Sequence, residues 1–131
     1  IHILLSILLY KTLKKITIFI MVIFYINVGS LHFLDPNWFL PIVPPYLPFH
    51  LELVYISGFF EILFGVLLIF QNTRSFAGKG LIILLIAVFP ANIYLAQTNG
   101  AAMNTTPLIA WGRLPIQFIF IGLAYWHSLD K

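Results

Sequence analysis

The sequence predicts an all-α fold: an integral membrane four-helix bundle. Hydrophobic residues make up 61% of the chain and charged residues only 8%, against roughly 45–50% and about 25% in average soluble domains. Mean hydropathy is +1.01. The apolar residues gather into four runs, each near the ~20 residues a helix needs to cross a hydrocarbon core about 30 Å thick. None of the runs alternates as the strands of a closed barrel do. So little charge cannot clothe a water-soluble globule, which excludes a soluble enzyme, a nucleic-acid binder and a disordered tail. No cysteine is present, so disulfides, iron–sulfur clusters, thiolate-zinc sites and thiol relays are excluded, and no covalently bound cofactor is expected.

Within a single membrane domain, 1–131, the spans are predicted at 16–32, 51–70, 80–97 and 107–126. The stretch IHILLSILLY (1–10) comes before the lysine cluster Lys11, Lys14 and Lys15. A signal peptide has that order reversed, so 1–10 is expected to extend the first helix or to lie along the membrane. The connection DPNWFLPIVPPYLPFH (35–50) holds five of the eight prolines, with Trp38, Phe39, Tyr46 and Phe49 interleaved. Asp35-Pro36 reads as a helix start, giving a short interfacial helix from about Pro36 to Leu40 and then an extended run to Pro48. The whole segment suits a hydrophobic lid. QNTRS (71–75) reads as a short polar link, and QTNGAAMNTTP (97–107) as the last connection.

Basic residues orient the bundle. Lys11, Lys14 and Lys15, Arg74 and Lys79, and Lys131 all fall at one end, while the first and third connections carry no Lys or Arg. The positive-inside rule then makes both termini cytoplasmic and the proline-rich connection external. Arg113 alone departs from the pattern, because it sits inside the fourth span.

Ionisable groups inside a span cost roughly 2.5–3.5 kcal/mol at the helix centre, so they mark function by default. At about 1.5 Å per residue, Glu61 lies ~14 Å below the outer boundary, Asn92 about 7 Å and Arg113 about 9 Å. His32 ends the first span. These four form a candidate polar cluster in the outer half, with Glu52 at its mouth and Gln117 on the same stripe as Arg113. Ser57, Gly58, Glu61 and Gly65 share one helix face, as do Val88, Asn92 and Ala96. Pro90 and Pro115 each remove a helix hydrogen bond and free the carbonyls of Ile86 and Trp111. The cluster is open to two readings. One is a ligand pocket; the other is a structural lock in which Glu61 pairs with Arg113 and Asn92 bonds across helices. No metal is expected: His32, Asp35, His50 and Glu52 border one connection, but their spacing matches no metal motif. His32 and His127 belong to opposite faces, which argues against bis-histidine haem.

GSLHF (29–33) followed by Asp35-Pro36, VPPYLP (43–48), SGFFEILFG (57–65), VFPANIYLA (88–96) and RLPIQ (113–117) occur in this order. In these motifs, over about residues 13–127, the chain resembles the DoxX-like family of small four-helix membrane proteins. The resemblance implies a multi-pass protein of the bacterial inner membrane. It also implies that His32, Glu61, Asn92 and Arg113 are the family's polar positions. Some relatives are partners of quinone-linked oxidoreductases, including the small membrane subunit of a thiosulfate:quinone oxidoreductase; others are tied to thiol-redox complexes. The expected role is an accessory subunit of a quinone-linked redox or respiratory complex, not an enzyme alone. A quinone is then the expected ligand, and the bilayer and other membrane subunits the partners. The alternative is a non-catalytic assembly subunit whose polar cluster only holds the helices together. A small transporter is a third reading, weakened by the lack of an inverted repeat.

Overall fold

No proline and a single glycine fall within residues 1–34, and one uninterrupted helix, α1 (His2–Leu34), results. The computed structural model describes residues 1–130; Lys131, counted above among the basic residues, lies outside them. Residues 1–10 extend the first helix and do not turn to lie beside it. The Asp35 N–H still reaches the Leu31 carbonyl at 2.8 Å, and Pro36 then forbids another turn. Asp35 holds the cap position of α2 (Pro36–Phe39), yet its side chain makes no capping hydrogen bond. A 3-10 turn, Leu40–Ile42, follows; Val43 is extended, and the Leu47 N–H then closes a second turn onto the Pro44 carbonyl at 3.0 Å. Two turns therefore replace the predicted extended run to Pro48, because burial of Phe39 and Ile42 draws the segment onto the bundle.

α3 (His50–Leu67) and α4 (Gln71–Gln97) are joined by three residues. The polar stretch 71–75 is not a link but the first turn of α4. Thr73 Oγ1 donates to the Leu67 carbonyl at 2.7 Å, and Arg74 Nε to the Leu68 carbonyl at 2.9 Å. These side chains satisfy carbonyls that the end of α3 leaves open. After a 3-10 turn, Ala101–Met103, α5 (Pro107–Ser128) starts with Pro107 in its first turn and Thr106 accepting from the Ile109 N–H at 3.2 Å. All described regular elements are helical, and α1, α3, α4 and α5 are each long and apolar enough to cross a membrane.

Two close helix pairs build the bundle, α1 with α3 and α4 with α5. A Cβ at Gly58 would sit 2.5 Å from His32 Cβ and 2.8 Å from the Gly29 carbonyl oxygen, and one at Gly29 2.8 Å from the Gly58 oxygen. Small residues allow that backbone contact. Gly78 does the same for the second pair, where a Cβ would meet the Ala124 oxygen at 2.6 Å. Met21, Tyr25, Phe64, Leu68, Ala77, Leu81 and Ala124 form the main core, toward the end where the termini and the α3–α4 link lie.

At that end one carboxylate gathers the side chains of Lys14, Arg74 and His127. Asp130 accepts from Lys14 Nζ at 2.6 Å, with Arg74 at 3.7 Å and His127 Nδ1 at 3.5 Å. Lys14 also donates to the Trp126 carbonyl at 2.9 Å and lies over its ring. His127 is fully buried, its Nε2 2.7 Å from Thr17 Oγ1. Partial burial alone would raise the Asp130 carboxyl, but the hydrogen bond and charge of Lys14 outweigh it and hold it below the ordinary carboxylate range.

Two predictions follow from this packing. Gly58→Val should lower stability by about 1–3 kcal/mol through overpacking, read by thermal unfolding in detergent. Gly112→Ala, where an added Cβ meets nothing within 4 Å, should not destabilise. A depressed carboxyl contributes stability above its unfolded value and loses it as pH falls through the folded one. Melting temperature should therefore drop as pH is taken below about 4. Asp130→Asn should melt lower at neutral pH and show a smaller acid-side drop.

Candidate functional site

Toward the other end the two helix pairs part around a cavity of about 470 Å³, within the roughly 300–1,000 Å³ of small-molecule sites. Phe39, Ile42, Pro44 and Leu47 from the proline-rich connection line one side of it, and Phe24, Ile116 and Phe120 line it from α1 and α5. Against this apolar wall stand Tyr25 and His32 of α1, Ser57 and Glu61 of α3, Asn92 of α4, and Arg113 and Gln117 of α5.

His32 is held on three sides. Its Nδ1 lies 2.7 Å from the Val28 carbonyl; a carbonyl only accepts, so Nδ1 carries the proton. The ring stacks on Phe39, centroids 3.7 Å apart and planes at 17°. Gly58 packs under its Cβ. That arrangement sets Nδ1 3.6 Å from Glu61 Oε2, an oxygen that is buried with no hydrogen-bond partner among the described residues.

The amides of α4 and α5 form a chain. Asn92 Nδ2 donates to Gln117 Oε1, and Gln117 Nε2 donates to the Leu85 carbonyl at 2.6 Å. Leu85 lies one residue before Ile86, whose partner Pro90 removes. Asn92 Oδ1 is buried without a partner. Arg113 NH1 donates only to Met103 Sδ, at 3.3 Å, and among the described residues no carboxylate comes within 4 Å of its guanidinium.

Five of the six residues singled out in the sequence, His32, Glu61, Asn92, Arg113 and Gln117, thus line one cavity. Glu52 does not: it is exposed and takes no part in the lining. Nine residues at about 100° each carry it two and a half turns from Glu61, to the opposite face of α3. Glu61 and Arg113 share the cavity but form no ion pair; the nearest partner of Glu61 is His32. No three His, Asp or Glu side chains among the described residues gather as a metal set. Tyr25 and Met103 escape a reading of the sequence alone. Tyr25 is marked only by its spacing of four from Gly29 and seven from His32, the buried face of α1.

The site therefore presents a cation without an anion, two buried acceptor oxygens without donors, and a hydrogen-bonded amide pair, all beside apolar walls. It suits a mostly apolar ligand that carries both accepting and donating oxygen atoms. A family model described as a domain of unknown function (DUF8561) matches residues 21–128. The chain belongs to that family. α3, α4, α5, the last fourteen residues of α1 and all the cavity's polar side chains fall within the DUF8561 match, which leaves out residues 1–20 and the tail. No curated protein matches the chain, and no solved structure does.

Gln117→Leu should deprive the Asn92 amide of its acceptor and the Leu85 carbonyl of its side-chain donor together. A double-mutant cycle with Asn92→Leu, measured by unfolding in detergent, is expected to give a coupling of about 0.6–1.7 kcal/mol.

Proposed function

We propose that this protein is a DoxX-like membrane subunit of a quinone-linked redox or respiratory assembly, and that its cavity holds a quinone headgroup. The observation that carries the reading is the pairing of an unneutralised Arg113 with unpartnered oxygens on Glu61 and Asn92 in one apolar-walled cavity. Arg113 and the amide of Gln117 donate toward carbonyl oxygens on such a ring. Glu61 and Asn92 accept from its hydroxyls in the reduced form, and Glu61, next to His32, takes up or releases the proton. A bound quinone supplies the two-electron chemistry; the chain itself orients the ring and keeps water from it. Phe24, Ile116 and Phe120 suit an isoprenoid tail by burying apolar surface.

In this reading both termini and the α3–α4 link face the cytoplasm, where Lys11, Lys14, Lys15, Arg74 and Lys79 lie. The proline-rich connection then closes the outer side, in a bacterial inner membrane. Without cysteine, any thiol chemistry belongs to a partner.

A second reading has its own support. The Asn92–Gln117–Leu85 chain ties α4 to α5 with no ligand needed, as an assembly subunit requires. Purification in mild detergent, with mass spectrometry of extracted lipids and co-eluting proteins, separates the two. Quinone should co-purify with the natural chain and fall at least tenfold with Arg113→Gln or Glu61→Gln, while melting temperature changes little. A chain recovered alone and without quinone would refute the ligand reading.

A further inference from the structure

The lipid-facing side of α1 carries a pattern that neither the bundle nor the cavity uses. Leu9, Leu13, Ile16, Ile20, Ile23, Asn27, Ser30 and Leu34 follow one another at alternating intervals of four and three. That is the spacing of a coiled-coil seam. The face is open: Leu9 is 60% exposed, Ile20 57% and Leu34 79%, and Asn27 is exposed as well. It lies opposite the packed side of α1, since Asn27 stands two residues, about 200°, from both Tyr25 and Gly29.

Asn27 is out of place against lipid. It sits about 10 Å before Leu34 and about 18 Å past Lys15, inside the apolar zone. Its Nδ2 donates back to the Ile23 carbonyl at 2.7 Å, while nothing among the described residues engages Oδ1. An asparagine in a seam that is apolar but for Ser30, whose hydroxyl is bonded to the Ile26 carbonyl, fixes the register and number of helices that pair there.

We infer that α1 is a dimer helix and that a second copy of this chain covers it. Copies inserted in one membrane share a topology, so their first helices pair in parallel about a two-fold axis, each seam meeting itself. In that register the two Asn27 amides face one another, each a donor and an acceptor for the other. The same contact reaches into the overhang of α1. The 33 residues of α1 span about 50 Å, well beyond the hydrocarbon. A second copy extends the paired seam along this overhang to Leu9.

The cysteine-free chain allows a direct test. Single substitutions Ile16→Cys, Ile20→Cys and Ile23→Cys should give disulfide-linked dimers on oxidation in native membranes. Ile83→Cys on α4 and Phe118→Cys on α5, equally lipid-facing, should not. The natural chain in mild detergent should have twice the chain mass, and Asn27→Leu should raise its dissociation constant about 3- to 30-fold. Equal crosslinking at all five positions, a monomeric mass, or a different protein trapped at the seam would each overturn the dimer.

Discussion

The backbone contact between Gly29 and Gly58 is the constraint from which the rest of the bundle takes its shape. It lets α1 and α3 touch without side chains between them, and it presses Gly58 beneath the His32 ring. His32 is thereby held against Phe39 on one side and turned toward Glu61 on the other. The second pair makes its own close approach at Gly78, near the opposite end. Two pairs that close at different levels cannot meet along their whole length. They pack around Leu68, Leu81 and Ala124 at one end and leave space at the other.

The polar groups in that space are tolerated because most are bonded within the chain. Lipid supplies no donors or acceptors, so Gln117 serves Asn92 and Leu85 together, and His32 serves Val28. Glu61 Oε2 and Asn92 Oδ1 are the exceptions. Natural proteins leave few such atoms, and those that remain ask for an explanation. Their placement in a single cavity, with the one intramembrane arginine, is the observation on which the proposed ligand site rests.

Much of the fold is legible in the sequence, because a bilayer demands long apolar helices and leaves few other choices. The start of α4 is not. Gln71, Thr73 and Arg74 look like a polar link, and only the folded chain shows Thr73 and Arg74 bent back onto the carbonyls ending α3. The proline-rich connection is similar: prolines exclude a long helix, but burial of Ile42 against Leu95 and Ala110 decides where the 3-10 turn falls. In the cavity, counting residues along each span gives the level of His32, Glu61, Asn92 and Arg113. It does not give the rotation of each helix about its axis. Hence Glu61 meets His32 and not Arg113, Glu52 faces away, and Tyr25, an aromatic in an apolar run, carries no mark of its place.

The cluster around Asp130 bears on the order of events during synthesis. Lys14 and Arg74 leave the ribosome long before the carboxylate that joins them, which follows the last span. Until then α1 and α4 have no ionic tie to the end of α5. The ionic tie that joins α1 and α4 to the residues after α5 is thus made only once every span has been synthesised.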